Sequence, residues 1–230
     1  MNKVTAIICA YNEENTIKEV ILSLSSYSIV DEVIIVNDGS TDSTGKLINE
    51  INTRKDLIAI HLKTNKGKGF AMAVGTEKAR GDIIVFMDAD LSNIQEEHVR
   101  QLITPVQNFS VDMVLGQPSE TLIEHNFNPF KSFTGQRALL KKDIITIVKK
   151  MKVSRFGIET LLNFHYQSQG KVIKNVLLKE LKHPSKFSKA MPFQATKEFI
   201  FEGKEIAKTS IKNYDLIIKS IIENTKKYIK

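Results

Sequence analysis

The stretch Ile83–Leu91, Ile-Ile-Val-Phe-Met-Asp-Ala-Asp-Leu, constrains the fold more than any other part of the chain. Four apolar residues and a methionine follow Gly81-Asp82 and run without a polar break into two carboxylates. A run that is apolar at every position has no solvent face, so it reads as a strand buried on both sides, at the centre of a parallel sheet. Asp-Ala-Asp then stands at the carboxyl edge of that sheet, where open α/β sheets bind their ligands. Hard oxygen ligands there suit Mg2+ or Mn2+ and, through the metal, a phosphate. Asp-X-Asp alone equally describes a solvated strand-end turn, so the decision falls to the other loops.

The unit of strand, polar loop and helix occurs three times before this strand. Val4–Cys9 is β-rich, Ala10-Tyr11-Asn12-Glu13-Glu14-Asn15 is polar, and Ile17, Val20, Ile21 and Leu24 share one helical face. Asp31–Val36 gives a second strand, Asn37-Asp38-Gly39-Ser40-Thr41-Asp42 a turn-and-cap cluster, and Leu47, Ile48 and Ile51 a second helix. Leu57–Leu62 is the third strand, and Asn65-Lys66-Gly67-Lys68-Gly69 opens a helix through Ala71, Val74 and Ala79. Such alternation predicts a parallel sheet with right-handed crossovers, and it puts all four polar loops at one edge.

Beyond Asp90 the spacing predicts a helix around Gln95–Ile103, a strand over Asp112–Leu115 and an extended segment over Phe133–Leu140. Helices at Ile144–Val148 and Ile158–Tyr166 and a strand over Lys171–Leu178 follow. Gln117–Lys131 mixes Pro118, His125 and Pro129 with isolated apolar residues and is expected to be a mobile lid. From Phe193 onward the chain reads as helical, with Tyr214, Ile217, Ile218, Ile221 and Ile222 on an apolar stripe. That stripe is expected to pack on the main domain or in a homodimer rather than on a membrane, because the chain has no tryptophan to anchor an interface.

A chain of 230 residues with 42% hydrophobic content is long enough for one well-buried domain. Met1-Asn2-Lys3 leads straight into an apolar run with no basic or hydrophobic leader, and no stretch reaches membrane-spanning length, so a cytoplasmic location is expected. The single cysteine, Cys9, lies inside the first apolar run and reads as a small core residue. The net charge of +7 is uneven: residues 1–140 hold 18 acidic and 13 basic side chains, residues 141–230 hold 8 and 20. A basic C-terminal part fits an anionic acceptor, a membrane surface or nucleic acid, and equally a solvated helix face.

Together, the loops at Ala10-Tyr11-Asn12-Glu13, Asn37-Asp38-Gly39-Ser40, Lys66-Gly67-Lys68-Gly69 and Asp88-Ala89-Asp90 resemble, in order and spacing, the donor-binding half of family 2 glycosyltransferases with the GT-A fold. Gly135-Gln136-Arg137, Phe156-Gly157-Ile158-Glu159 and His183 extend the likeness toward small members related to glucosyl-3-phosphoglycerate synthase and dolichyl-phosphate mannosyltransferase. The resemblance implies an α/β fold with a mostly parallel central sheet flanked by helices and a C-terminal helical extension. It divides the chain into a catalytic domain over 1–190, with a nucleotide-sugar half over 1–92 and an acceptor half over 93–190, and C-terminal amphipathic helices over 191–230. The implied activity is metal-dependent transfer of a hexose from a UDP- or GDP-sugar, with Mg2+ or Mn2+ as cofactor, to an acceptor that includes anionic and lipid-linked molecules among its choices.

Residue roles follow. Asp38 can accept the imide N–H of a uracil while Tyr11 supplies a flat contact, and Glu13 can accept from ribose hydroxyls. Ala10, Gly67 and Ala89 belong to the same donor loops. Lys68, between two glycines at a helix start, suits ribose or phosphate; it departs from a Walker A loop, which disfavours a P-loop NTPase. By resemblance Asp88 holds ribose or a metal-bound water, Asp90 binds the metal that bridges the diphosphate, and His183 completes the metal site. Glu159, at a helix start, is a general base for the acceptor or a partner for sugar hydroxyls. Many inverting relatives carry an acidic residue after this glutamate, where this chain has Thr160. Gly135, Gln136 and Arg137 fall to the acceptor or sugar, with Arg137 paired to a phosphate or carboxylate or else an exposed strand arginine.

Two rival readings use the same residues. A sugar-nucleotide nucleotidyltransferase would share the architecture, but it needs a basic glycine-rich loop where this chain has Tyr11-Asn12-Glu13-Glu14. A non-enzymatic basic module for nucleic acid would need aromatic interleaving or a recognition motif, and neither is present, so no nucleic-acid partner is expected.

Overall fold

Seven strands, β1 (Val4–Ala10), β2 (Glu32–Asn37), β3 (Asp56–His61), β4 (Ile83–Asp88), β5 (Met113–Pro118), β6 (Arg137–Leu140) and β7 (Ile173–Leu178), form one sheet in the order β3-β2-β1-β4-β6-β5-β7. The computed structural model describes residues 2–51, 56–118, 134–182, 211–219 and 222. β3, β2, β1 and β4 run parallel, β6 runs antiparallel to both β4 and β5, and β7 is parallel to β5. The expected mostly parallel α/β architecture is therefore present, with β6 as its one antiparallel strand among the described residues.

Burial follows position in the sheet. Every residue of β2 is buried and β4 is buried up to Asp88, as apolar, β-branched central strands must be, whereas the edge strands β3 and β7 are partly exposed along their length. Helices α1 (Ile17–Ser26), α2 (Thr44–Glu50) and α4 (Glu96–Gln107) cover one face, where Ile17, Val20, Ile48 and Leu102 pack with Ile8, Val33 and Val85. Helices α3 (Lys68–Lys78), α6 (Val148–Ser154) and α7 (Ile158–Gln167) cover the other, where Met72, Met151 and Leu161 pack with Ile7, Ile34 and Phe86. Each fully buried isoleucine or leucine contributes about 2–3 kcal/mol to this double-sided core.

Several boundaries differ from the sequence reading. β5 runs on from Leu115 to Pro118 because Gln117 and Pro118 align with Leu177 and Leu178 of β7, so the first two residues of the expected lid belong to the sheet. Proline is tolerated there because it ends the strand. The remainder of the lid, 119–131, lies outside the described residues, as do His183 and 184–210. The expected helix over Ile144–Val148 is a short α5 (Lys141–Ile144), a 3-10 turn over Ile145–Ile147 and the start of α6.

Within the described part of the C-terminal stripe the inward face differs from the expected one, with Ile217 half-buried. In the 211–219 segment Asn213 and Leu216 are buried and Leu216 joins the α3-side core, whereas Tyr214 and Ile218 are exposed. Apolar residues occupy more than one face of this helix, so spacing alone did not fix which face turns inward. Among the described residues no helix is long and apolar enough to cross a membrane.

Candidate active site

The loops after β1, β2, β3 and β4 meet at the carboxyl edge of the parallel strands and close into a ring. The first is joined to the second by Asp38 N–H donating to the Ala10 carbonyl at 2.8 Å, and by Thr41 N–H donating to Asn12 Oδ1 at 2.8 Å. Asn12 makes this contact at φ +57°, a left-handed conformation that asparagine tolerates. The second loop is joined to the third by Asp38, whose Oδ1 and Oδ2 accept the N–H groups of Lys66 and Gly67, each at 2.8 Å. Lys68 Nζ joins the third to the fourth, 2.7 Å from Asp88 Oδ1. The ring closes where Thr16 Oγ1 donates to the Ala89 carbonyl at 2.8 Å.

Lys68 is the electrostatic centre of this ring. Its ammonium also lies 2.8 Å from Glu159 Oε1, so α3, β4 and α7 converge on one cation. Burial alone would discharge the lysine, but Asp88 and Glu159 outweigh it and hold the pKa above the ordinary lysine value. The second oxygen of Asp88 accepts from Gln136 Nε2 at 2.7 Å. Gly135 lies directly against this carboxylate, and a Cβ there would collide with both of its oxygens. Gly135 and Gln136, expected at the acceptor or sugar, thus hold Asp88 in place.

Arg137 is not an exposed strand arginine: it is 0% exposed. Its guanidinium reaches Asn163 Oδ1 at 3.5 Å and the Thr134 carbonyl, and Nε has no partner. Burial lowers its pKa, and the fields of Glu159 and Asp88 oppose that shift. Arg137 is thus a second buried cation, whose charged form the two carboxylates favour.

Tyr11 is 44% exposed beside the ring, open to a flat ligand. Glu13 is half-buried; its N–H donates to Thr44 Oγ1 at 2.8 Å, and Thr16 Oγ1 lies 3.5 Å from its Oε2. Asp38 is 3% exposed, and burial raises its pKa against the pull of the two N–H groups and Arg155. Gly67 sits at φ +95°, reserved for glycine, and starts α3. Cys9 is half-buried against the α3-side core, and burial pushes its thiol pKa up, away from a reactive thiolate.

Asp90 is half-buried one residue beyond Ala89. Among the described residues no three His, Cys, Asp or Glu side chains gather into a metal-holding cluster, and His183 lies outside those residues. Asp88 has a partner at each oxygen, Lys68 at Oδ1 and Gln136 at Oδ2, and Asp90 is the second carboxylate of the pair at the strand end. One carboxylate fits Mg2+ or Mn2+ chemistry when substrate phosphates supply further ligands.

Two contributors escape a sequence reading. Thr16 ties the first loop to Ala89, yet it looks like an ordinary helix-start threonine. Arg155 adopts φ +47° and lies against Gly67, where a Cβ would be 3.1 Å from its Cα. A non-glycine residue in that region costs about 1–3 kcal/mol and is found disproportionately at functional sites. Nothing local in Ser154-Arg155-Phe156 announces it.

Comparison with known proteins agrees with this architecture. An undecaprenyl-phosphate 4-deoxy-4-formamido-L-arabinose transferase of Proteus mirabilis (strain HI4320) is 35% identical over 117 residues, which is 48% of this chain and 36% of that protein. A poly-beta-1,6-N-acetyl-D-glucosamine synthase of Staphylococcus aureus (strain MSSA476) is 32% identical over 114 residues, 49% of this chain and 27% of that one. The chain thus spans about a third of the length of the curated relatives it matches. In fold it is similar to glucosyl-3-phosphoglycerate synthase from Mycobacterium tuberculosis, crystallised with Mn2+, UDP and phosphoglyceric acid: TM-score 0.71 at 20% identity, over 92% of this chain and 78% of that one. Residues 5–176 match the family described as glycosyl transferase family 2, and a match over so much of the chain makes this protein a member of that family.

Proposed function

We propose that this protein transfers a hexose from a UDP- or GDP-sugar to an acceptor with the help of Mg2+ or Mn2+. The observation that carries the reading is the closed ring of four loops around Lys68, Asp88 and Asp90 at the carboxyl edge of the sheet. Tyr11 lies under the base, and Asp38 and Glu13 offer carboxylate oxygens to base and ribose. Asp38 keeps this capacity because a carboxylate has about four acceptor sites and backbone N–H groups take two. Lys68 directs its charge at the diphosphate.

In the transfer, the bond from the sugar C1 to the diphosphate oxygen breaks with its electron pair going to the diphosphate, the acceptor oxygen bonds to C1, and the acceptor's proton passes to the departing diphosphate. A divalent ion held by Asp90, with His183 as a further ligand, would neutralise the leaving diphosphate. Lys68 serves the same end, as a cation already in place when negative charge develops. Support for the donor class comes from the similar synthase, whose structures contain Mn2+ and UDP. An anionic or lipid-linked acceptor draws support from the basic C-terminal part and from the Proteus relative, named for undecaprenyl phosphate.

The test is a screen of UDP- and GDP-sugars for Mn2+-dependent binding and slow donor hydrolysis without acceptor. At least one donor should bind only with metal present. If none binds with or without metal, the reading fails.

A further inference from the structure

We infer that Glu159 is a positioning residue for Lys68, holding the ammonium where a donor diphosphate meets it, and not the base that takes the acceptor's proton. The inference rests on the nucleotide-sugar reading. An ammonium carries three N–H donors. Two are spent on Asp88 Oδ1 at 2.7 Å and Glu159 Oε1 at 2.8 Å, and the side chain is 26% exposed, so one donor remains for a ligand. Each anchor is itself fixed. Asp88 is held by Gln136 and backed by Gly135, and Glu159 is 8% exposed in the first turn of α7.

A free lysine side chain explores many rotamers and gives up about 2 kcal/mol of entropy when it is pinned. Here that cost is met during folding, so the cation needs no reorganisation when the diphosphate arrives. Two carboxylates against one ammonium would leave excess negative charge, and the buried Arg137, whose charged form their field favours, offsets it. A general base, by contrast, must reach the acceptor's proton. The Glu159 carboxylate is turned onto Lys68, whose ammonium lies 2.8 Å from Oε1.

UDP separates the two roles, since it has neither a sugar nor an acceptor and a base would leave its affinity unchanged. Calorimetric titration of UDP with Mn2+ into wild type, Lys68→Met, Glu159→Gln and the double variant is the experiment, repeated with GDP, with circular dichroism and melting curves confirming the fold. Glu159→Gln should weaken nucleotide binding about tenfold, the worth of one charge-assisted hydrogen bond, and add less than about twofold in the Lys68→Met background. If Glu159→Gln does not fold, Glu159→Asp, which keeps the charge but shortens the reach, should show the same weakening and the same lack of additivity. Wild-type nucleotide affinity in the folded glutamate variant, or full additivity with Lys68→Met, overturns the inference while leaving the donor reading intact. Failure of the wild type to bind UDP or GDP overturns both.

Discussion

Asp38 accepts the backbone N–H of Gly67 through Oδ2 at 2.8 Å while its Oδ1 takes the N–H of Lys66 at the same distance. One buried carboxylate after β2 thereby shapes the turn from which α3 and Lys68 start. Asp38→Ala would leave two N–H groups short of acceptors and should cost about 2–3 kcal/mol of stability, together with nucleotide affinity. Asp38→Asn, which still offers one acceptor oxygen, should lose less of both. Urea melts alongside UDP titrations check this; an alanine variant as stable as wild type would show that the tie is not made in solution.

The two aspartates of Asp88-Ala89-Asp90 should part company under mutation. Asp90→Ala is expected to keep stability within about 0.5 kcal/mol of wild type and to abolish Mn2+-dependent donor binding, since a half-buried residue past the strand end is not core. Asp88→Ala should destabilise by about 2 kcal/mol, because it strips Lys68 and Gln136 of a shared partner. Thermal melts with and without Mn2+ and UDP distinguish the pair, and equal behaviour of the two variants would contradict the division.

Gly135→Ala tests the approach of the segment before β6 to Asp88. The added methyl would meet both carboxylate oxygens and displace Asp88, Gln136 and Lys68 together. Donor affinity should fall by about tenfold or more with a stability loss of about 1–3 kcal/mol. Unchanged donor binding in a folded Gly135→Ala protein would mean that this contact has slack.

At the opposite edge of the sheet, Glu32 serves stability alone. It is 4% exposed and accepts from Thr5 Oγ1 at 2.7 Å, Arg80 N–H at 2.9 Å and Arg80 Nε at 2.7 Å. Glu32→Ala should cost about 2–3 kcal/mol in denaturant melts and leave UDP affinity unchanged, the Arg80 share being discounted because that side chain is largely exposed. A comparable loss of nucleotide binding would tie this edge to the site.

His165 gives the fold a pH dependence of defined sign. Burial lowers its pKa below the ordinary histidine value, while Nε2 pairs with the Asp143 carbonyl at 3.1 Å. The unfolded chain therefore takes up a proton near pH 6.5 that the native protein does not. Stability should decline as the pH falls through that value and level off below the native pKa. Unfolding free energies measured from pH 7.5 to 5 should show this decline in wild type and a shallower one in His165→Gln; parallel curves would assign it to other groups.

How much of this was legible beforehand varies with the kind of interaction. Repeated apolar runs, polar loops and helical faces were enough to predict the four parallel strands and the shared edge of their loops, because strand burial and crossover handedness are local rules. Lys68, Asp88 and Glu159 could be named as candidates from their places beside glycines, strand ends and a helix start. The sequence could not say that they touch one another. Nor could it show that Gln136 faces Asp88, that Arg137 is buried behind the site, that Thr16 holds Ala89, or that Leu216 rather than Tyr214 turns inward. Local pattern determined the elements and the order of the loops. The charge pairing at Lys68 was decided only by the tertiary structure, because it depends on β6 inserting antiparallel beside β4 and on α7 packing over α3's side of the sheet, and contacts between residues 68, 88, 136 and 159 leave no periodic trace in the chain.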